Sequence, residues 1–84
     1  MENDKAIVIF HITKRGFSAD LEIPLDISAN ELVVALNTAY ELGIDTSDIK
    51  NCYLKAENPI ALLKGNKTLA EFGLRNGSRI YFTE

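Results

Sequence analysis

Eighty-four residues make one domain with a single core, too small for a second lobe to close over a substrate. The composition, 46% hydrophobic and 25% charged, is that of a globular domain and not of a disordered chain. A net charge of −3 argues against a nucleic-acid partner, because phosphate neutralisation needs a clustered basic excess.

Ala6 to Ile12 is rich in β-branched and aromatic residues and reads as a first strand. Phe17 to Leu25 alternates, with Phe17, Ala19, Leu21 and Ile23 on one face and Ser18, Asp20 and Glu22 on the other. The two predict a hairpin. A three-residue Lys14-Arg15-Gly16 loop pairs Ile9 with Leu21 and Ile7 with Ile23, whereas a two-residue Arg15-Gly16 turn pairs Phe10 with Leu21. Period-2 geometry flips the whole first strand between these registers, and both stay open.

Ser28 is an N-cap, Glu31 three residues later completes a capping box, and Ile27 can staple to Leu32. A helix then runs to Leu42 with Leu32, Ala35, Leu36 and Ala39 as its apolar stripe and Gly43 as its stop. Asn51 to Ala56 reads as a third strand with Cys52 and Leu54 on one face, broken by Glu57-Asn58-Pro59. Ile60 to Leu63 suits a brief fourth strand. Thr68 to Phe72 suits one helical turn ended by Gly73, and Asn76-Gly77 turns the chain into a last strand, Arg79 to Phe82.

No constellation in the sequence supports catalysis or a cofactor. One cysteine, Cys52, cannot hold an iron–sulfur cluster or form an internal disulfide. It reads as a small apolar core residue, with no basic neighbour to lower its pKa. His11 sits inside a strand with no acidic or thiol partner near it in sequence. Lys64-Gly65-Asn66-Lys67-Thr68 lacks the glycine-rich lead of a phosphate loop, and the spacing of Asp45 and Asp48 does not match a calcium loop. Neither a cofactor nor a metal is expected.

Lys67-Thr68-Leu69-Ala70-Glu71-Phe72-Gly73-Leu74, followed by Asn76-Gly77-Ser78-Arg79-Ile80, resembles the threonine-leucine turn before the last strand of ubiquitin-like proteins. Leu21-Glu22-Ile23 leading through Ser28 into the helix resembles the matching strand-to-helix passage. Tyr53-Leu54-Lys55-Ala56-Glu57-Asn58-Pro59-Ile60 most resembles the YukD/EsaB family of small bacterial ubiquitin-like proteins associated with type VII (ESX/WXG100) secretion. The resemblance implies an α+β fold, a ubiquitin-like β-grasp with a mixed four- to five-stranded sheet packed on one α-helix. The resemblance runs roughly from Ala6 to Phe82, and the domain is expected over residues 5–84, with residues 1–4 as a loose N-terminus. It also implies a non-conjugating accessory or regulator of a secretion machine, partnered by a component of that machine.

Conjugation or sulfur carriage by such proteins requires a C-terminal Gly-Gly, and this sequence stops at Thr83-Glu84. A natural chain continuing to Gly-Gly would make it a modifier or sulfur carrier, and a longer gene with membrane segments would make it a domain of a larger secretion component. Ala6 to Phe10, the longest apolar run, is far short of a membrane span, and Met1 to Lys5 is not the basic leader of a secretory signal. The expected location is therefore the cytoplasm, peripheral to a membrane complex and without insertion.

The expected binding surface is the sheet face away from the helix. Tyr53, Lys55, Arg79 and Tyr81 point there if Cys52, Leu54, Ile80 and Phe82 point inward. The first strand is apolar on both faces, and Val8, Phe10 and Ile12 are its candidate contribution. A homodimer and a heterologous contact both fit such a face. Charge is also two-sided. Gly16 to Ile49 holds Asp20, Glu22, Asp26, Glu31, Glu41, Asp45 and Asp48 with no Lys or Arg, while Lys50 to Arg79 is mostly basic.

Overall fold

The computed structural model describes residues 4–48 and 50–83. The expected loose N-terminus falls outside them except for Asp4, whose carbonyl accepts a hydrogen bond from the Leu25 N–H. The elements are β1 (Lys5–Ile12), β2 (Phe17–Pro24), α1 (Ala29–Tyr40), β3 (Leu54–Glu57), β4 (Ala61–Leu63) and β5 (Arg79–Phe82). They build one mixed sheet in the order β2-β1-β5-β3-β4. β1 and β5 are parallel and every other neighbouring pair is antiparallel. This is the ubiquitin-like β-grasp: the first and last strands pair in parallel, and the connection between them carries α1 across one face.

Neither hairpin register expected from the sequence occurs. Val8 lies opposite Leu21, Ala6 opposite Ile23 and Phe10 opposite Ala19. The loop has four residues, Thr13 to Gly16: a 3-10 turn over Thr13–Arg15, closed by Gly16 in the left-handed region at φ 60°. One loop residue more than Lys14-Arg15-Gly16 slides the pairing by one and turns Val8, Phe10 and Ile12 inward instead of Ile7 and Ile9.

The start of α1 is as its sequence dictates. The Glu31 N–H donates to Ser28 Oγ at 3.1 Å and the Ser28 N–H to Glu31 Oε1 at 2.8 Å. The next free donors are taken by a distant loop, the Ala29 N–H by Lys67 O and the Asn30 N–H by Gly65 O, each at 2.9 Å. The far end differs from expectation. The helix stops at Tyr40, two residues before Leu42, and its C-cap is Glu41, left-handed at φ 53°, with Gly43 following at φ 78° in the loop beyond. The Arg15 guanidinium explains the early stop, donating to Tyr40 O at 2.8 Å and Glu41 O at 2.9 Å. The buried stripe is Ala29, Leu32, Val33 and Leu36, while Ala35 and Ala39 are exposed. The helix is thus rotated towards Val33, at the same i, i+3, i+4, i+7 spacing.

The core joins this stripe to the inward residues of the sheet, and its largest fully buried side chains include Phe10, Ile12, Leu54, Leu63, Leu69 and Ile80. Its buried polar residue, Ser78, is satisfied on both sides: Oγ donates to Asn58 O at 2.7 Å and accepts from the Arg75 N–H at 3.0 Å. Arg75 also donates to Asn58 Oδ1 at 2.9 Å. These bonds clamp the turn that leads from β3 into Ile60.

Candidate protein-interaction surface

Strand pairing sets the outward face in rows. Ser18, His11, Tyr81, Lys55 and Leu62 form one row across all five strands, and Asp20, Ile9, Arg79 and Glu57 form the next. Glu22 and Ile7 extend the face along β2 and β1. Lys55 and Arg79 are exposed here, and Tyr81 is half-buried, as the alternation of β3 and β5 predicts. Tyr53 is half-buried just before β3 and shares a small cleft with Phe82 and Thr83.

Val8, Phe10 and Ile12 are not part of this surface. All three are core residues, 0%, 0% and 1% exposed, and no partner can reach them without unfolding the sheet. The outward apolar set of β1 is Ile7 and Ile9, with Ile7 52% exposed. Both sets are apolar in the sequence, so only the loop length could choose between them.

Tyr81 is held rigidly. Its ring stacks on His11 with centroids 4.6 Å apart and planes 11° from parallel, and its hydroxyl donates to Glu57 Oε1 at 2.9 Å. His11 Nε2 is shut off from solvent beneath this arrangement and has no hydrogen-bond partner among the described residues. Such geometry gives the imidazole a packing role.

Two residues that sequence reasoning missed complete the surface. Ile60, at the tip of the β3–β4 turn, is 90% exposed, and Leu62 on β4 is 43% exposed. With Lys55, Glu57 and Tyr81 they line an open, mostly apolar concavity of about 610 Å³. The sequence signal was Ile60 itself, a large apolar residue directly after the Asn58-Pro59 break. Its apolar run suits a strand, whereas the clamp on Asn58 holds Ile60 out on a turn.

The remaining chemical candidates resolve into structural roles. Cys52 is 3% exposed and lies 3.5 Å from Asn30 Oδ1. Burial pushes its thiol pKa up, and the charges of Asp45 and Asp48 push it further, the opposite of what a reactive thiol needs. The Lys64–Thr68 loop gives its carbonyls to the N-terminus of α1, so the helix donors that would hold a phosphate are already taken. Asp45 accepts from the Ser47 hydroxyl at 2.6 Å and backbone N–H at 3.0 Å, which holds its carboxyl below the usual range. Asp48 bonds the Lys50 N–H and the Asn51 side chain in the same local manner. Among the described residues there is no group of three or more His, Cys, Asp or Glu placed to hold a metal ion, and no helix is long and apolar enough to cross a membrane.

Residues 7–82 match the family described as "WXG100 protein secretion system (Wss), protein YukD". No curated protein matches the chain in sequence. Among solved structures, the chain is similar to the ubiquitin-like domain of a tubulin-binding cofactor B, with a TM-score of 0.74 at 19% identity over 96% of this chain and 90% of that one. It also resembles the C-terminal ubiquitin-like domain of mouse tubulin-specific chaperone e, with a TM-score of 0.71 at 10% identity over 99% and 89%. The cofactor B domain of Drosophila melanogaster gives 0.70 at 12% identity over 99% and 87%. At these identities the likeness is one of fold alone.

Proposed function

The chain belongs to the YukD family of the WXG100 secretion system, and from that membership we propose that it is a non-enzymatic protein-interaction module, an accessory or regulatory component of a type VII secretion apparatus. It acts in the cytoplasm, peripheral to the membrane complex. The observation that carries the reading is the β3–β4 concavity, where Ile60 is 90% exposed on a turn fixed by Arg75 and Ser78. A large apolar side chain held out in a fixed position has already lost the conformational freedom that binding would otherwise cost. Beside Tyr81 and Leu62 it forms the kind of aromatic and aliphatic anchor that dominates interfaces.

The test is co-purification from a host that carries the secretion system. Ile60→Asp with Leu62→Asp should leave the fold intact, because both residues are exposed. The double variant should lose the secretion component recovered with the wild type, and secretion of a WXG100 substrate should fall. Unchanged recovery and unchanged secretion would remove the β3–β4 surface from the function.

A further inference from the structure

The concavity, which takes in β3, β4 and Tyr81 of β5, leaves the rest of the outward face, on β2, β1 and the Arg79 end of β5, without a role. Along β1 this half presents Ile7 and Ile9 between Lys5 and His11, and it is oppositely charged on its two sides. Asp20 and Glu22 stand exposed on β2, Ile7 and Ile9 lie along β1, and Arg79 stands exposed on β5. We infer that this half-face binds a second copy of the chain, in a two-fold face-to-face dimer whose axis runs along β1 and sets Asp20 of each protomer over Arg79 of the other.

The charge pattern selects both the occupant and the axis. Register places Asp20 on one side of Ile9 and Arg79 on the other, in a single row. A two-fold axis along β1 exchanges the two sides of that row, so one operation creates two symmetric ion pairs and brings Ile7 and Ile9 against their own copies, at the cost of one like-charge contact between the two Lys5 side chains at the end of the strand. Rotating the axis to lie across the strands would put β2 over β2, with Asp20 and Glu22 facing like charges. Pairing of the free β2 edges would crowd the same acids, which is how a charged edge strand blocks such pairing. Three strands spaced about 4.8 Å apart, the longer two about 25 Å long, offer roughly 400 Å² per partner, half of a standard interface. The dimer is therefore weak and in rapid exchange. It leaves β3 and β4 open, so it goes beyond the secretion reading and does not depend on it.

Sedimentation equilibrium of the full chain at low salt, from roughly 10 μM to 1 mM, tests this across the range such a small interface supports. The wild type should show a reversible monomer–dimer equilibrium that weakens with added salt. Asp20→Arg and Arg79→Asp, each placing like charges in opposition, should weaken it roughly tenfold. Combining them should restore wild-type self-association, because the pair is rebuilt with reversed sign. Circular dichroism confirms folding of each variant, and Asp20→Asn with Arg79→Gln supplies a second, uncharged variant that should also weaken the dimer. A wild type that stays monomeric at 1 mM overturns the inference, as does a dimer indifferent to the single reversals or unrestored by their combination. Ile60 and Leu62 are untouched throughout, so loss of the secretion partner in the earlier test and loss of the dimer here are separate results.

Discussion

Single residues on the outward face separate packing from chemistry. His11 stacks on Tyr81, and its Nε2 has neither solvent nor a partner among the described residues. A buried polar atom left unpaired costs about 1–3 kcal/mol, while an apolar ring of similar shape carries no such cost. His11→Phe should therefore match or exceed the wild type in thermal stability, and a clear drop in melting temperature would show that the imidazole has a partner. Glu71 is the opposite case, a satisfied group. The Thr68 N–H donates to its carboxylate at 2.9 Å and the Thr68 hydroxyl adds to this, so the carboxyl is held below its ordinary value of 4.5. A depressed pKa in the folded state contributes stability that is present above the unfolded value and is lost as pH falls through the folded value. Glu71→Gln should therefore flatten the decline of stability below about pH 4.5 in an acid titration of urea midpoints. The threonine-leucine turn around it was legible because its bonds are local. His11 was not, because its surroundings come from a strand 70 residues away in sequence.

Among the elements, α1 shows how far local wording reaches. Ser28 and Glu31 announce the start of the helix, and the capping box is present. Its end is not legible in the sequence because the group that caps it, Arg15, belongs to the β1–β2 loop and arrives only once the sheet has formed. The same distance hid the rotation of the buried stripe from Ala35 and Ala39 to Val33, since a helix shows which residues share a face but not where its neighbours will sit. The two ends should contribute independently. Ser28→Ala should cost about 1 kcal/mol, within the usual capping range. Arg15→Ala, which removes two charge-assisted bonds to carbonyls at the negative end of the helix dipole, should cost a similar amount of about 1 kcal/mol. The sites lie at opposite ends of the helix, so the double variant should lose the sum within about 0.5 kcal/mol in urea unfolding. Arg15→Lys should recover only part of the loss, because an ammonium lacks the planar fork that reaches both carbonyls.

At the scale of the molecule, one hairpin decides what is core and what is surface. β1 is apolar on both faces, and a four-residue loop in place of three or two sets the pairing. That choice moves Phe10 from a candidate contact to a ring with no exposure, tilted against Tyr40 at 5.2 Å, with Tyr40 in turn 5.5 Å from Phe17. The aromatic chain ties the central sheet to the last turn of α1, next to the Arg15 bonds. For a domain of this size total stability is on the order of 4–12 kcal/mol, and removing a buried phenylalanine costs about 3–5 kcal/mol. Phe10→Ala should therefore unfold a substantial fraction of the molecules near physiological temperature, lowering the melting temperature by tens of degrees or abolishing the transition. Ile7→Ala, on the same strand but half exposed, should shift it by only a few degrees. Melting curves of the two variants check this directly, and a larger shift for Ile7→Ala than for Phe10→Ala would mean that the strand sits in the other register. Any binding defect of Phe10→Ala is then a loss of fold, whereas a defect of Ile7→Ala in a folded protein reports on the outward face.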